Sequence, residues 1–570
     1  MAASDRVTFT CDGASVDATF EPGASLLDIL REQLGKRSVK DGCAPQGQCG
    51  CCTVLVDGQP RVACVTPAAR VAGRDVTTVD GLADDVRDRL LTAFVATGGS
   101  QCGFCTPGIV VRAAWLLARS DGNVTVAEID RALAAHLCRC TGWLTVREAI
   151  VAAARGDAPG PRRDLAAAGR RSTLEGGVEQ RVAPDVPRGD GGFADDLAPR
   201  DAAVAVPLAA GAPADATTLE AGGMRWAVGS TLVEARARAA KIQGRRTTQT
   251  SDPPLELPEC PSGGVRVATS WVEPAYLEPD ASWCVPGGDA ASPLANGGAF
   301  GGKLDSIAPA AAKALADRLD RPVRVVLSRE DVVRCGPKRP PIAASAVLDG
   351  TRVRIVGAVV GDVVPGAVGR TPYAIDVDEA WTCVPSPGPP TSPRLRAWPL
   401  AERTVLVEGA LAAAGVDRTE IARDERVLAV LLEACASEPT DGAVAGAAVR
   451  IDPATGRVDQ VAVRVAAGDP LDEVALRSYA VGATHMALGW VLHESLTVDE
   501  RTGEVLDLTI RSFGILRAQD MPSIDVTIVD DAGPPRRCSS DAVFAAVAAA
   551  TWNAISAASG VRPESFPISP

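Results

Sequence analysis

Ten of the sixteen cysteines in this 570-residue chain lie between Cys11 and Cys140, and the other six are scattered. This clustering constrains the fold more than any other feature. A secreted disulfide scaffold is short and cysteine-dense throughout. Here the chain is long, and its start (MAASDRVTFTCDG) lacks a basic segment followed by an apolar one, so no secretory signal is expected. Clustered thiols then point to metal or cluster ligation in a reducing, cytoplasmic setting.

The first group is Cys43, Cys49, Cys52 and Cys64, spaced C-x5-C-x2-C-x11-C. Plant-type [2Fe–2S] sites use C-x4-C-x2-C with a distant fourth cysteine. Two irons need four thiolates, held in a tight loop whose N–H groups can aim at the sulfurs. Gly42, Gly47 and Gly50 supply the backbone freedom. The first gap is one residue longer than usual and contains Pro45. Cys51 leaves an alternative open, because it could replace Cys49 or Cys52; the x2 spacing favours keeping those two. The second group is Cys102-x2-Cys105 and Cys138-x-Cys140. Its first pair stands just before Pro107, at the mouth of a helix, and its second at the end of another. Two antiparallel helices would bring the four thiols together. Either group alone could hold structural zinc; side by side they read as two clusters.

Local patterns frame these groups. Val7, Phe9 and Cys11 alternate with polar residues, as do Val16, Ala18 and Phe20, around Asp12-Gly13, which predicts a hairpin. Ser25 with Asp28 forms a capping box ahead of an apolar run to Leu34. TVLVDGQPRVACV predicts a second hairpin. Residues 1–83 therefore suit a small ferredoxin-like module. Residues 84–155 are expected to be all-helical, with helices from Pro107, over Val126–Leu137 and over Val146–Ala154. Residues 156–190, rich in Gly, Pro and Arg, read as a linker. Beyond it strands are expected at Val323–Leu327, Val353–Val360 and Val458–Val465. Helices are expected at Leu232–Ile242, Pro309–Leu319, Thr404–Ala413 and Asp541–Ile555.

A net charge of −13 argues against a nucleic-acid or anionic-membrane partner. No run of 18 uncharged apolar residues occurs, so no membrane span is expected.

The segments CAPQGQCGCCTVLVDG, QCGFCTPG and LCRCTGW resemble the two-cluster subunit of the xanthine dehydrogenase/aldehyde oxidase (molybdenum hydroxylase) family. The resemblance implies an α+β multidomain chain: a β-grasp ferredoxin-like [2Fe–2S] domain, an all-α [2Fe–2S] domain, and a mixed α/β truncated molybdopterin-binding domain at 191–570. It implies two [2Fe–2S] clusters and a molybdopterin-type molybdenum cofactor, with Gln101 and Cys140 near the pterin. Weaker likenesses continue downstream. GGFADDLAP resembles the start of the family's molybdopterin domain, and WVEPAY its Glu-Pro segment, with Glu273. GGAFGGK resembles the glycine loop near the metal ligands, through Gly297, Gly298, Phe300, Gly301 and Gly302. RLRAWP resembles a segment with a substrate- or cofactor-facing arginine, here Arg396, and GATHMALGWVLHES a late cofactor-contacting helix. Where the family carries a glycine-rich segment ending in a catalytic Glu, this chain reads CSSD, with Asp541 as the base by resemblance. Each has a plainer reading. GGAFGGK is also a flexible turn, Glu273 a surface carboxylate, and Ser540 or Asp541 a good N-cap for the Ala-rich helix that follows. His485 and His493 read as packing residues rather than ligands.

The implied activity is hydroxylation of a purine, N-heterocycle or aldehyde, with electrons leaving through the clusters. No flavin domain separates the two parts, so a separate FAD-binding subunit is expected as partner. Tyr479, where the family's late Gln is expected, and the short C-terminal domain favour an alternative. In it the chain is an iron–sulfur electron-transfer subunit whose molybdopterin domain is vestigial or a docking scaffold.

Overall fold

The computed structural model describes residues 5–120, 122–157, 163–209, 212, 213, 215, 218–239, 247, 248, 253–293, 297–362, 371–438 and 442–568. The N-terminal hairpin forms from Asp5–Cys11 and Ala14–Phe20, with Asp12 in the left-handed conformation that its turn requires. Ser25 caps Leu26–Asp28 in a complete capping box. These elements join a five-stranded sheet in the order Ala14–Phe20, Asp5–Cys11, Asp75–Thr77, Thr53–Val56 and Gln59–Val62. The pairing of Asp5–Cys11 with Asp75–Thr77 is parallel, and the loop 42–52 hangs beside the sheet.

Four helices follow: Asp84–Thr97, Thr106–Leu117, Val126–Ala132 and Leu144–Arg155. The third is shorter than its pattern predicts. It stops at Ala132 because the chain turns to place the Leu137 N–H on the carbonyl of Cys49, at 3.0 Å. A tertiary bond to the first cysteine loop outweighs local helix propensity there.

The stretch expected to be a linker holds a helix, Leu165–Gly176. Asp164 caps it through Ala166 and Ala167, and it buries Ala167, Ala168, Arg171 and Glu175. Its Arg-rich, Gly-flanked composition disguised a face that packs inward.

Three further sheets build the remainder. One runs Ala281–Cys284, Val323–Val326, Ala203–Pro207, Met224–Gly229 and Thr218–Ala221. A second runs Asp376–Val384, Arg352–Val360, Ile342–Asp349, Val265–Thr269 and Ser565–Phe566. The last runs Ala434–Ser437, Val444–Ile451, Val458–Ala466 and Ser523–Ile528. Helices Ala397–Ala413, Glu473–Leu492 and Ser539–Ser559 pack on one another and against the last two sheets. The expected helix from Leu232 is present to Arg238, and residues 240–242 lie outside the described residues. Ser539–Ser559 is long and apolar enough to cross a membrane by length and composition. Here it is the central core helix, with Ala542–Ala550 fully buried.

The N-terminal modules are tied to this body by buried polar bonds. Arg139 forms a two-pronged pair with Glu494, both almost wholly buried, and its Nε donates to the Pro274 carbonyl at 3.1 Å. Trp143 Nε1 donates to the Leu516 carbonyl at 3.2 Å.

Candidate functional site

All eight expected ligand cysteines are buried and free of disulfides. In the first group the Cys43 sulfur accepts from the thiols of Cys49 and Cys64, which holds its pKa well below the ordinary thiol range. Cys64 also meets Cys52. The Gln48 N–H aims at the Cys43 sulfur at 3.3 Å, and the Cys64 N–H at the Cys52 sulfur at 3.4 Å. Cys51 touches Cys49 from outside this set, on the side of Cys102 and Cys105. The second group repeats the pattern. Cys138 accepts from Cys105 and Cys140, which lowers its pKa, and the sulfurs of Cys102 and Cys140 stand 3.9 Å apart. Each set is a buried cage of four thiols with N–H or O–H donors aimed at sulfur, the donor set that a two-iron cluster takes. Among the described residues no three His, Cys, Asp or Glu side chains converge as ligands round one ion would. Four thiols shared by two irons need not converge on one point.

The glycine loop lies against the second group. A Cβ on Gly297 would stand 3.0 Å from the Cys102 sulfur. Gly301, at φ +98°, passes so close to the Arg394 carbonyl that no side chain fits. Between the loop and the helix Glu473–Leu492 is a cavity lined by Gln101, Cys140, Gly298, Phe300, Gly301, Arg396, Tyr479, Met486 and Ser540, among others. Gln101 donates to the Cys140 carbonyl at 2.6 Å and to Ser478 Oγ at 2.9 Å. Six of the expected residues thus share one cavity. Gly297 and Gly302 stand behind it, the latter against Pro274. Glu273 is not brought there: it is buried in an ion pair with Lys338 at 2.8 Å.

Asp541 sits just behind Arg396, whose Nε lies 3.0 Å from Oδ1. Burial raises the Asp541 pKa to about 6, against the lowering pull of Arg396, while Glu175 raises it further. Neither Ser540 nor Asp541 is the N-cap. The cap is Cys538 at φ +53°, and the acid lies inside the first turn. The capping work falls to Glu175, which accepts from the Ser540 N–H and hydroxyl, each at 2.8 Å. Glu175 also pairs with Arg171 at 2.6 Å. Sequence reading missed Glu175 because it lay in the supposed linker; the Arg171/Glu175 spacing of four is the signal that would have found it. His485 is a buried core residue whose Nε2–H donates to the Leu516 carbonyl at 2.9 Å.

Comparison with known proteins agrees with this anatomy. Residues 9–78 match the 2Fe-2S iron-sulfur cluster binding domain, 78–151 the [2Fe-2S] binding domain, and 433–522 the molybdopterin cofactor-binding domain. The nicotinate dehydrogenase small FeS subunit of Eubacterium barkeri is 37% identical over 145 residues, which are 25% of this chain and 91% of that protein. The xanthine dehydrogenase iron-sulfur-binding subunit of Escherichia coli O157:H7 is 38% identical over 152 residues, 26% of this chain and 94% of that one. The solved aldehyde oxidoreductase from Desulfovibrio gigas shares the fold at a TM-score of 0.74, with 16% identity and 99% of each chain covered. Fold and thiol sites together define a two-cluster iron–sulfur protein continuous with a molybdopterin-type domain. The chain belongs to the xanthine dehydrogenase/aldehyde oxidase (molybdenum hydroxylase) family.

Proposed function

We propose that this chain is a molybdenum hydroxylase that oxidises a purine, N-heterocycle or aldehyde and passes the electrons through two [2Fe–2S] clusters to a separate FAD-binding subunit, in the cytoplasm. The observation that carries this reading is the contact between the glycine loop and the second thiol group, with Gln101 bridging the Cys140 carbonyl to the cavity. Cys43, Cys49, Cys52 and Cys64 would hold one cluster; Cys102, Cys105, Cys138 and Cys140 would hold the other.

The donor chemistry of the cavity suits a molybdenum–pterin group. Backbone N–H groups of the Gly297–Gly301 stretch are the neutral donors that an anionic, hydrogen-bonding cofactor uses, while Gln101 spends its two side-chain N–H on Cys140 and Ser478 and holds the cluster side of the cavity in place. When bound, that group supplies the two-electron sink for the substrate carbon. The chain's own part is proton handling and orientation. A carboxylate with a pKa of about 6 is mostly ionised at neutral pH yet still basic enough to take a proton, which suits a general base at Asp541 Oδ. Arg396, which lines the cavity, pairs with that carboxylate at 3.0 Å and links it to the cavity wall. The relatives named as small FeS subunits support assembly with further subunits.

One observation favours the second reading, an electron-transfer subunit with a docking scaffold. The cavity encloses about 40 Å³, against roughly 300 Å³ or more for typical small-molecule sites. Expression in a host that makes the pterin separates the two. Bound pterin with turnover of an N-heterocycle or aldehyde supports the hydroxylase; iron without pterin or turnover supports the scaffold.

A further inference from the structure

A groove of about 700 Å³ opens beside the C-terminal end of the helix Glu473–Leu492, walled in part by Leu137, Arg457, Leu488, Arg511, Ile515 and Arg517. Its wall adjoins both thiol sites through Leu137. Leu137 immediately precedes Cys138, and its N–H is bonded to the Cys49 carbonyl at 3.0 Å. Arg511 Nε donates to the Gln48 carbonyl at 3.1 Å and Nη2 to the Ala134 carbonyl at 3.2 Å. Gln48 in turn precedes Cys49 and aims its own N–H at the Cys43 sulfur at 3.3 Å. A molecule in the groove is therefore one residue away from a cysteine of each group.

The groove is also chemically selective. Three arginines line it on a chain whose net charge is −13. Arg517 is paired with Asp520 at 2.8 Å, but the bonds of Arg511 go to carbonyls, which carry no compensating charge. Leu488 and Ile515 supply apolar wall. The volume falls within the roughly 300–1,000 Å³ of small-molecule sites. Arginines and apolar side chains sharing one lining, beside a Leu137 that adjoins a cysteine of each thiol cage, fit a planar anion that accepts electrons.

We infer that this groove binds a small anionic aromatic electron acceptor of the quinone class, and that the reduced clusters deliver electrons to it there; the inference rests on the two-cluster part of the proposed function. The two electrons would come one from each iron–sulfur site, those that Cys43, Cys49, Cys52 and Cys64 and that Cys102, Cys105, Cys138 and Cys140 would hold. The quinone takes both, with two protons from solvent, and leaves as the quinol.

The test uses the full chain loaded with iron, reduced anaerobically with dithionite and freed of excess reductant. Reoxidation is followed by stopped-flow absorbance with 1,2-naphthoquinone-4-sulfonate, an anion, and with methylene blue, a cation. The expected result is a rate that saturates with the sulfonate. In Arg457→Glu the half-saturating concentration rises about tenfold at low ionic strength, with methylene blue unchanged or faster. Leu492→Trp, which fills the groove without altering charge, removes saturation. A rate linear in the sulfonate throughout, or both variants matching the wild type, overturns the inference. Because the clusters are reduced chemically, absence of substrate turnover with these kinetics intact counts against the hydroxylase reading alone.

Discussion

The two cysteine modules and the C-terminal body reach their sites by opposite routes. In residues 43–64 and 102–140 the ligands come from short segments, and a loop or a helix end fixes each set. The body's cavity is assembled instead: Gly301, Arg396, Tyr479 and Ser540 come from four separate segments of the body, and Gln101 reaches in from the second cysteine module. A local site tolerates divergence elsewhere, because its geometry travels with its own loop. An assembled site depends on every element that positions it. The strongest departures from the family pattern, the CSSD segment and Tyr479, fall in the assembled one.

Breaking the assembled site has the largest expected effect. Asp541→Ala is predicted to lower turnover by about 10²–10⁴-fold, the usual worth of a positioned base, with the visible spectrum of the clusters unchanged. Turnover near the wild-type level would remove Asp541 from the mechanism. Breaking the local site is predicted to be as selective in the other direction. Cys105→Ser should lower iron from about four to about two per chain and leave the Cys43–Cys64 cluster signal intact by electron paramagnetic resonance. Loss of both signals together would show that the two modules fold as one unit.

The seam between the regions comes next. Glu494→Ala leaves the Arg139 guanidinium buried without its carboxylate, a change expected to cost about 3–5 kcal/mol. A clear fall in unfolding temperature is the readout, and an unchanged transition would place little of the stability at this contact. The smallest effect is on pH. With Asp541 raised to about 6, turnover is expected to fall about tenfold per pH unit below that value and to level off above it. The sign for stability is the reverse. A carboxyl whose folded pKa is raised gives stability that is full below its unfolded value near 4 and lost as pH rises through about 6. A rate profile flat from pH 5 to 7 would contradict the burial of this group.

How much was legible in the sequence follows from the same contrast. Hairpins with Asp-Gly turns, the Ser25 capping box and the cysteine spacings are decided by neighbours in sequence, and the fold class followed from them. The helix Leu165–Gly176 was hidden because its inward face carries Arg171 and Glu175, charges that read as surface until their partners are seen. The pairing of Glu273 with Lys338 and the cap that Glu175 lends to Ser540 join residues 65 and 365 positions apart. No local pattern encodes such pairs. The same holds for the Val126 helix, shortened by a bond to Cys49.

The central claim is that one chain carries two iron–sulfur clusters and a molybdenum–pterin site. Iron, zinc and molybdenum content of the purified protein, read with its visible spectrum, tests it most directly. About four irons and about one molybdenum per chain is the result the account predicts. A colourless protein holding zinc would contradict it at the root, and four irons without molybdenum would contradict its hydroxylase half.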